Sequence, residues 1–560
     1  MTRRQKEAMN QIRVVGLVAV AGLAVVSAAC SGGAPDSSPA TEVVTPGPDA
    51  GGLGEDGGPE AGPVSACEPG RLAPGKVSTT GGVVEGAKSG SAWSWKGIPF
   101  AAPPVGALRW QPPAPFACAP GVRDATKAGP ACAQVDKDGK VIGSEDCLTL
   151  NVWAPEDAKD APVLFFVHGG ANTKGTASDP IYDGAALAAK TGAVVVTAEY
   201  RLGVMGFFAH PKLDEESADK VSGNYGILDQ IAALQWVREN IASFGGAPSK
   251  VLLFGESAGA QDVLVHVASP LSKGLFTAVA VESGGVYRTK LADGEVSMKP
   301  IVQLAGCDSV TDVLACLRGK SPASLVQLPS AEGPLDNSGL RYTPLVDGHV
   351  LQGTALEVIE AGKHNRVPMV IGTNRNETSR MVPKVTTTTE YEAAVRAQYG
   401  TAAGETLLGL YPASAFPSPR AALVQLTTDA TWTCPIRRLT RAAAQGQSEP
   451  VFRYQFSWSA PGPAGAVVGA THGLELPFVF GTFSALSSSF TPGAGELALS
   501  SAMQGSWVAL AATGSPNLPG GPTWPRYVAA TDPFLELNAP IVAGAGLATS
   551  QCDAMDAFAQ

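Results

Sequence analysis

A chain of 560 residues with 45% hydrophobic and 7% aromatic content has enough apolar material for a large core, which excludes the disordered and fibrous classes for most of its length. The formal net charge is −10 and no basic stripe runs along the chain, so nucleic acid is not an expected partner.

Residues 1–29 read as a secretory signal. Arg3, Arg4, Lys6 and Arg13 precede an apolar run from Val14 to Val26, and Ser27-Ala28-Ala29 follows. The run is too short for a comfortable membrane span. The twin arginines lack the apolar residues that usually follow them in a twin-arginine signal, which favours ordinary secretion. Cys30 stands where a lipoprotein signal places its lipidated cysteine, although Ser27 is a poor match three positions earlier. Segment 30–66 is mostly Gly, Pro, Ser and Ala, with six acids and no base. Such a composition buries too little apolar surface to offset its ordering entropy and reads as a flexible tether. The folded body is expected over 67–560, outside the cell or on the bacterial cell envelope, with a lipid on Cys30 as its one membrane link. Cysteines 67, 118, 132, 147, 307, 316, 434 and 552 remain. An even number behind a secretory signal favours disulfides. With no C-x-x-C and no His pair at helical spacing, no metal is expected.

Along the body, buried strands are predicted at Val163–Val167, Ala193–Ala198, Val251–Phe254, Ala278–Val281 and Val367–Gly372, with two more around Leu148–Trp153 and Val451–Phe456. Helical patterns lie between them, most clearly Leu228–Phe244 with Ile231, Leu234, Val237 and Ile241 on one face. Strands alternating with helices predict an α/β fold, a mostly parallel central sheet covered by helices on both sides. No linker interrupts 67–560, so one domain is expected, with long insertions near 300–345 and 384–445 that would carry much of the pocket wall.

The chemistry centres on Gly255-Glu256-Ser257-Ala258-Gly259, which follows the strand Val251–Phe254 and precedes an apolar helical run, Ala260 to Val267. A serine between small residues at a strand end sits on a sharp turn with its hydroxyl projecting above the sheet, and only glycine fits beside it. Ser257 is therefore the expected nucleophile. Such a hydroxyl needs a base, and the base needs an acid to orient it. In α/β-hydrolases the chain order is nucleophile, acid, histidine. His472, in a loop far downstream, fits that order. Glu377 lies just past the strand Val367–Gly372, at the edge where such sheets place ligands; Asp347 stays open as an alternative acid. His168-Gly169-Gly170-Ala171 follows the strand Val163–Val167, and small residues there let backbone amides approach a substrate carbonyl, with Ala258 supplying a further donor.

These residues resemble the type-B carboxylesterases (the carboxylesterase/lipase family), an α/β-hydrolase group, from about Lys76 to Phe558. The nucleophile stretch looks like one family signature and Glu145-Asp146-Cys147-Leu148-Thr149-Leu150-Asn151-Val152-Trp153-Ala154-Pro155 like a second. Tyr200-Arg201-Leu202-Gly203, Gly223-Asn224-Tyr225-Gly226 and His472-Gly473-Leu474-Glu475-Leu476-Pro477 are further landmarks. The resemblance implies Ser257, Glu377 and His472 as a catalytic triad, oxyanion donors at Gly170, Ala171 and Ala258, and Gly169 setting up the turn. It implies Glu256 as a site-lining carboxylate and Ser283 as a serine behind the site. It also implies the pairs Cys132–Cys147, Cys307–Cys316 and Cys434–Cys552, leaving Cys67 with Cys118.

Two departures from the family pattern bear on specificity. Asn172 stands where the family usually has an aromatic residue, which predicts a more polar or open pocket. The loop 133–146 has no aromatic residue, where cholinesterases hold a tryptophan for a cationic substrate, so choline esters are not expected. The expected function is hydrolysis of small carboxylic esters through an acyl-enzyme, without a cofactor. A non-catalytic surface protein on the same fold, or a lipase for longer acyl chains, are the alternatives.

Overall fold

The computed structural model describes residues 67–329 and 340–558, both stretches within one compact unit. The expected signal, the tether and Cys30 lie outside the described residues, as does a short part of the first insertion.

The core is an eleven-stranded mixed sheet. Its centre is parallel and runs, in spatial order, Val194–Ala198, Ala161–Val167, Gly246–Glu256, Ala278–Glu282, Met369–Asn374, Val451–Phe456 and Pro533–Leu537. Thr149–Pro155, Ala92–Pro99 and Ala87–Ser89 extend one side in antiparallel fashion, and Val542–Ala545 closes the other. The central strands are buried along both faces, as a sheet sandwiched between helices requires. Val163, Phe165 and Val167 belong to one apolar cluster, while Leu164 and Phe166 belong to the cluster on the opposite face. This is the alternation a pleated strand imposes.

Parallel register brings the strand ends level. Gly255 lies opposite both Val167 and Val281, Glu256 opposite Glu282, and Glu282 opposite Gly372. The segments that leave the sheet there, beginning at His168, Ser257, Ser283 and Arg375, emerge together along one edge. A βαβ sheet gathers its ligands at this carboxyl edge.

The second insertion folds as helices Thr388–Tyr399, Thr401–Leu410 and Pro419–Thr428, followed by a π-helical turn at Asp429–Thr433 and the helix Cys434–Gly446. Its residues Tyr391, Val395, Leu407, Tyr411, Leu423 and Leu426 form an apolar cluster separate from the two at the sheet. Disulfides join Cys67–Cys118, Cys132–Cys147, Cys307–Cys316 and Cys434–Cys552. These four bonds fit a protein that folds in an oxidising compartment. Among the described residues, no helix is long and apolar enough to cross a membrane and no cluster of ligating side chains suits a metal ion.

Candidate active site

Ser257 occupies the step between the strand Gly246–Glu256 and the helix Ala258–Ala268, with φ 59° and ψ −122°. A non-glycine residue with positive φ is strained. The surroundings over-determine it: Ser257 N–H donates to the Glu282 carbonyl (3.0 Å), and Gln261 N–H donates to the Ser257 carbonyl (3.0 Å). Crossing of strand and helix leaves no room for side chains on either flank. A Cβ on Gly255 would stand 2.6 Å from the Gly259 carbonyl carbon, and one on Gly259 would strike the Val167 carbonyl oxygen.

Glu377 begins a short 3-10 turn, Glu377–Arg380, beyond the strand Met369–Asn374, and is fully buried. Its Oε1 accepts from Ser283 Oγ (2.5 Å) and from the Asn374 backbone N–H (2.7 Å). Its Oε2 lies 2.6 Å from His472 Nδ1. A carboxylate so held has one orientation, and it fixes the imidazole with Nδ1 protonated. Asp347, the alternative acid, instead accepts from Asn224 Nδ2 and from the backbone of His349 and Leu351.

The other imidazole nitrogen, His472 Nε2, lies 3.2 Å from Glu256 Oε1. No hydrogen bond joins it to Ser257 Oγ in this resting arrangement; such bonds are often long before substrate arrives. Burial works against the imidazolium, but Glu256 and then Glu377 outweigh it and push His472 up to about 10. Burial pushes Glu256 up to about 7 and Glu282 up to about 8, and raises Glu475 strongly. Like carboxylates in one low-dielectric region do not all ionise. Glu282 accepts from Trp507 Nε1 (2.6 Å) and Glu475 from Asn374 Nδ2.

The loop after the strand Ala161–Val167 turns through three consecutive residues of positive φ: Gly170 at 111°, Ala171 at 56° and Asn172 at 56°. Successive amides in this conformation converge, as in an anion-binding nest. Gly170 and Ala171 N–H donate to no other described residue, and Ala258 carries a first N–H of its helix, which has no intrahelical acceptor. Asn172 is buried and turned into a polar network. It accepts from Tyr200 Oη (3.0 Å) and donates to Asp262 Oδ1 (3.2 Å) and Tyr287 Oη (3.0 Å). The expected polarity at this position therefore lies behind the site.

A cavity of about 300 Å³ opens over the serine, lined by Ala171, Ser257, Ala258 and Ser283 among the predicted residues. Gly169, Gly170, Asn172, Glu256, Glu377 and His472 are not part of its wall. The wall also contains residues that sequence reasoning missed: Tyr287, Arg288, Arg341 and Trp432. It carries two arginines and, among the described residues, no carboxylate. Trp432 comes from the π-helical turn of the second insertion. Its Nε1 donates to the Ser283 carbonyl (2.9 Å) and its ring lies 5.1 Å from that of His472. The sequence placed much of the pocket wall in the two insertions without singling out Arg341 or Trp432, and both line it. By contrast, Glu475 was visible in the quoted motif, three residues beyond the histidine.

Residues 73–555 match the model of the carboxylesterase family. The chain belongs to that family. As a member it is a carboxylic ester hydrolase acting on small-molecule esters. This carboxylesterase is 35% identical over 491 residues to a fumonisin B1 esterase of Sphingopyxis macrogoltabida, covering 84% of this chain and 88% of that one. It is 33% identical to the para-nitrobenzyl esterase of Bacillus subtilis (strain 168), over 83% of this chain and 95% of the relative. A solved structure titled PNB esterase superposes with a TM-score of 0.75 at 32% identity, covering 86% of this chain and all of that one. The α/β-hydrolase fold follows from the same likeness.

Proposed function

We propose that this carboxylesterase works through an acyl-enzyme on Ser257, with His472 as base and Glu377 as the acid that orients it. The observation that carries the reading is the 2.6 Å Glu377–His472 contact at the sheet edge where Ser257 is held with positive φ. His472 takes the Ser257 proton as the hydroxyl attacks the ester carbonyl. The N–H groups of Gly170, Ala171 and Ala258 receive the oxyanion, and the N-terminus of the helix Ala258–Ala268 adds its positive potential. His472 then protonates the leaving alcohol, and water repeats the sequence on the acyl-enzyme. Glu256 holds the imidazolium that forms at each step. Ser283 and Asn374 keep Glu377 from rotating.

The small cavity favours short or compact acyl groups over long chains. Between Cys132 and Cys147 the chain forms a small hairpin, Gln134–Val135 with Val141–Ile142, and none of its residues lines the cavity. A lipase lid has no counterpart there. Arg288 on the wall favours an ester that carries a negative charge. The proposed body is 67–560, exported behind the signal 1–29 and the tether 30–66, with Cys30 as a lipid attachment point.

The test is hydrolysis by the exported protein of p-nitrophenyl esters from acetate to palmitate, with monoethyl succinate set beside ethyl butyrate. Expected are a short-chain optimum and a higher kcat/KM for the charged ester. Ser257→Ala abolishes turnover with an unchanged fold; retained turnover removes Ser257 from the mechanism. A long-chain optimum favours a lipase. No turnover on any ester by folded protein contradicts the reading.

A further inference from the structure

Behind the oxyanion loop, two buried side chains turn atoms without hydrogen-bond partners toward each other. His168 follows the strand Ala161–Val167 and is wholly buried, its ring stacked on Tyr200 with centroids 4.5 Å apart. Its Nδ1 lies 2.9 Å from the Gly169 carbonyl oxygen. A carbonyl can only accept, so Nδ1 carries the hydrogen and, in neutral imidazole, Nε2 is left as an acceptor. Nε2 has no partner and lies 3.9 Å from Glu199 Oε2, which has no hydrogen bond of ordinary geometry; the Cys132 backbone N–H also acts on this carboxyl and favours its charged form, but burial outweighs it. Glu199 Oε1 is occupied: it accepts from Thr176 Oγ1 (2.5 Å) and the Ala177 N–H (2.9 Å).

In the protonation states these groups have in water at neutral pH, carboxylate and neutral imidazole, two lone pairs would face each other in a site without solvent. Neither would be satisfied. One added proton turns the repulsion into a bond. It rests on the carboxyl or on the imidazole, and burial decides between them, because it opposes charge on both. Burial pushes Glu199 up to about 8 and His168 down to about 4. Both shifts favour the neutral acid beside the neutral ring. A closure of about one ångström brings Oε2–H and Nε2 to hydrogen-bond distance.

We propose that Glu199 is a buried, protonated carboxylic acid that donates to His168 Nε2 and thereby positions the oxyanion loop. The inference rests on the reading of Gly170 and Ala171 as oxyanion donors. His168 stands at the start of the loop, and Thr176 and Ala177 stand at its end, so one carboxyl clasps both sides of the turn that carries the two amides. Tyr200 Oη, whose single hydrogen is shared between the His168 carbonyl (2.9 Å) and Asn172 Oδ1 (3.0 Å), completes the hold. The titratable groups facing Glu199 are His168 and Tyr200; Tyr182 and Asp262 act in turn on Tyr200. The bond exists while Glu199 is protonated and is lost as pH rises through its raised value, about 8.

The test compares wild type, Glu199→Gln and Glu199→Leu in the full chain, reading kcat and KM across pH. Glutamine is a permanent copy of the protonated acid, with an acceptor toward Thr176 and Ala177 and a donor toward His168. Expected is Glu199→Gln within about threefold of wild-type kcat at pH 7, with activity carried further above pH 8 than in wild type. Glu199→Leu is expected to lower kcat roughly ten- to hundredfold with KM little changed, as a displaced oxyanion donor does. If Glu199→Gln is as impaired as Glu199→Leu, or Glu199→Leu is fully active, the proposal falls. Should Glu199→Leu fail to fold, an alkaline limb in Glu199→Gln identical to wild type overturns it. Ser257→Ala measured alongside separates the two readings. With that variant inactive and the glutamine variant impaired, the inference about Glu199 fails and the nucleophile stands.

Discussion

Glu377 and Glu256 hold the two nitrogens of His472 from opposite sides, with different consequences for the base. Glu377 fixes the ring through Nδ1 and must stay. Glu256 faces Nε2, the nitrogen that has to accept the serine proton, and its charge is the larger of the two that favour the imidazolium. A base works only in its neutral fraction, so Glu256 moves the acid limb of activity upward while stabilising the cation of each transition state. Glu256→Gln therefore shifts the acid limb of kcat/KM to lower pH, because His472 loses a raising charge. The same change lowers kcat roughly ten- to hundredfold. A pH–rate profile of both proteins checks the sign: a limb that moves upward, or stays in place, contradicts this role for Glu256.

Among the elements, the C-terminal helix Thr549–Phe558 is attached by charge as well as by Cys434–Cys552. Asp532 accepts from Arg437 Nε (2.7 Å), Arg453 Nη1 (2.8 Å) and Tyr527 Oη (2.8 Å), and all three side-chain charges are buried. Arg437 and Arg438 also reach Asp553 and Asp556 on that helix. Asp532→Ala leaves two buried guanidiniums short of their counter-ion and is expected to cost about 3–5 kcal/mol, measured by denaturant unfolding. A loss under 1 kcal/mol would mean the arginines find water or other acceptors. How legible such elements were depended on their periodicity. Val451–Phe456 was read with its observed bounds because Val451, Phe452, Tyr454 and Phe456 carry an apolar, aromatic signal that the buried Arg453 and Gln455 interrupt without hiding. The strand Gly246–Glu256 begins five residues before the expected Val251, since Gly246-Ala247-Pro248-Ser249-Lys250 has no strand pattern. Ala92–Pro99, with a lysine and a glycine among its tryptophans, was not foreseen. Near the site, Glu377 was findable from its place past a strand end. Trp432 was not, because a π-helical turn has no sequence period to betray it.

Seen whole, the molecule has a broad sheet with apolar clusters on both faces and a smaller helical satellite with its own core. Small separate cores open at lower free energy than the main one. Heating is expected to abolish ester hydrolysis several degrees below the main unfolding transition seen by circular dichroism, with activity recovering on prompt cooling. Coincident transitions would show that the satellite and the sheet melt as one. The link is Trp432, in the π-helical turn that directly follows the satellite's last helix, whose indole holds the Ser283 carbonyl and lies against His472. That single ring makes the insertion a thermal fuse: when the satellite loosens, the imidazole loses its wall and Ser283, the anchor of Glu377, loses its brace, while the sheet survives to be re-armed.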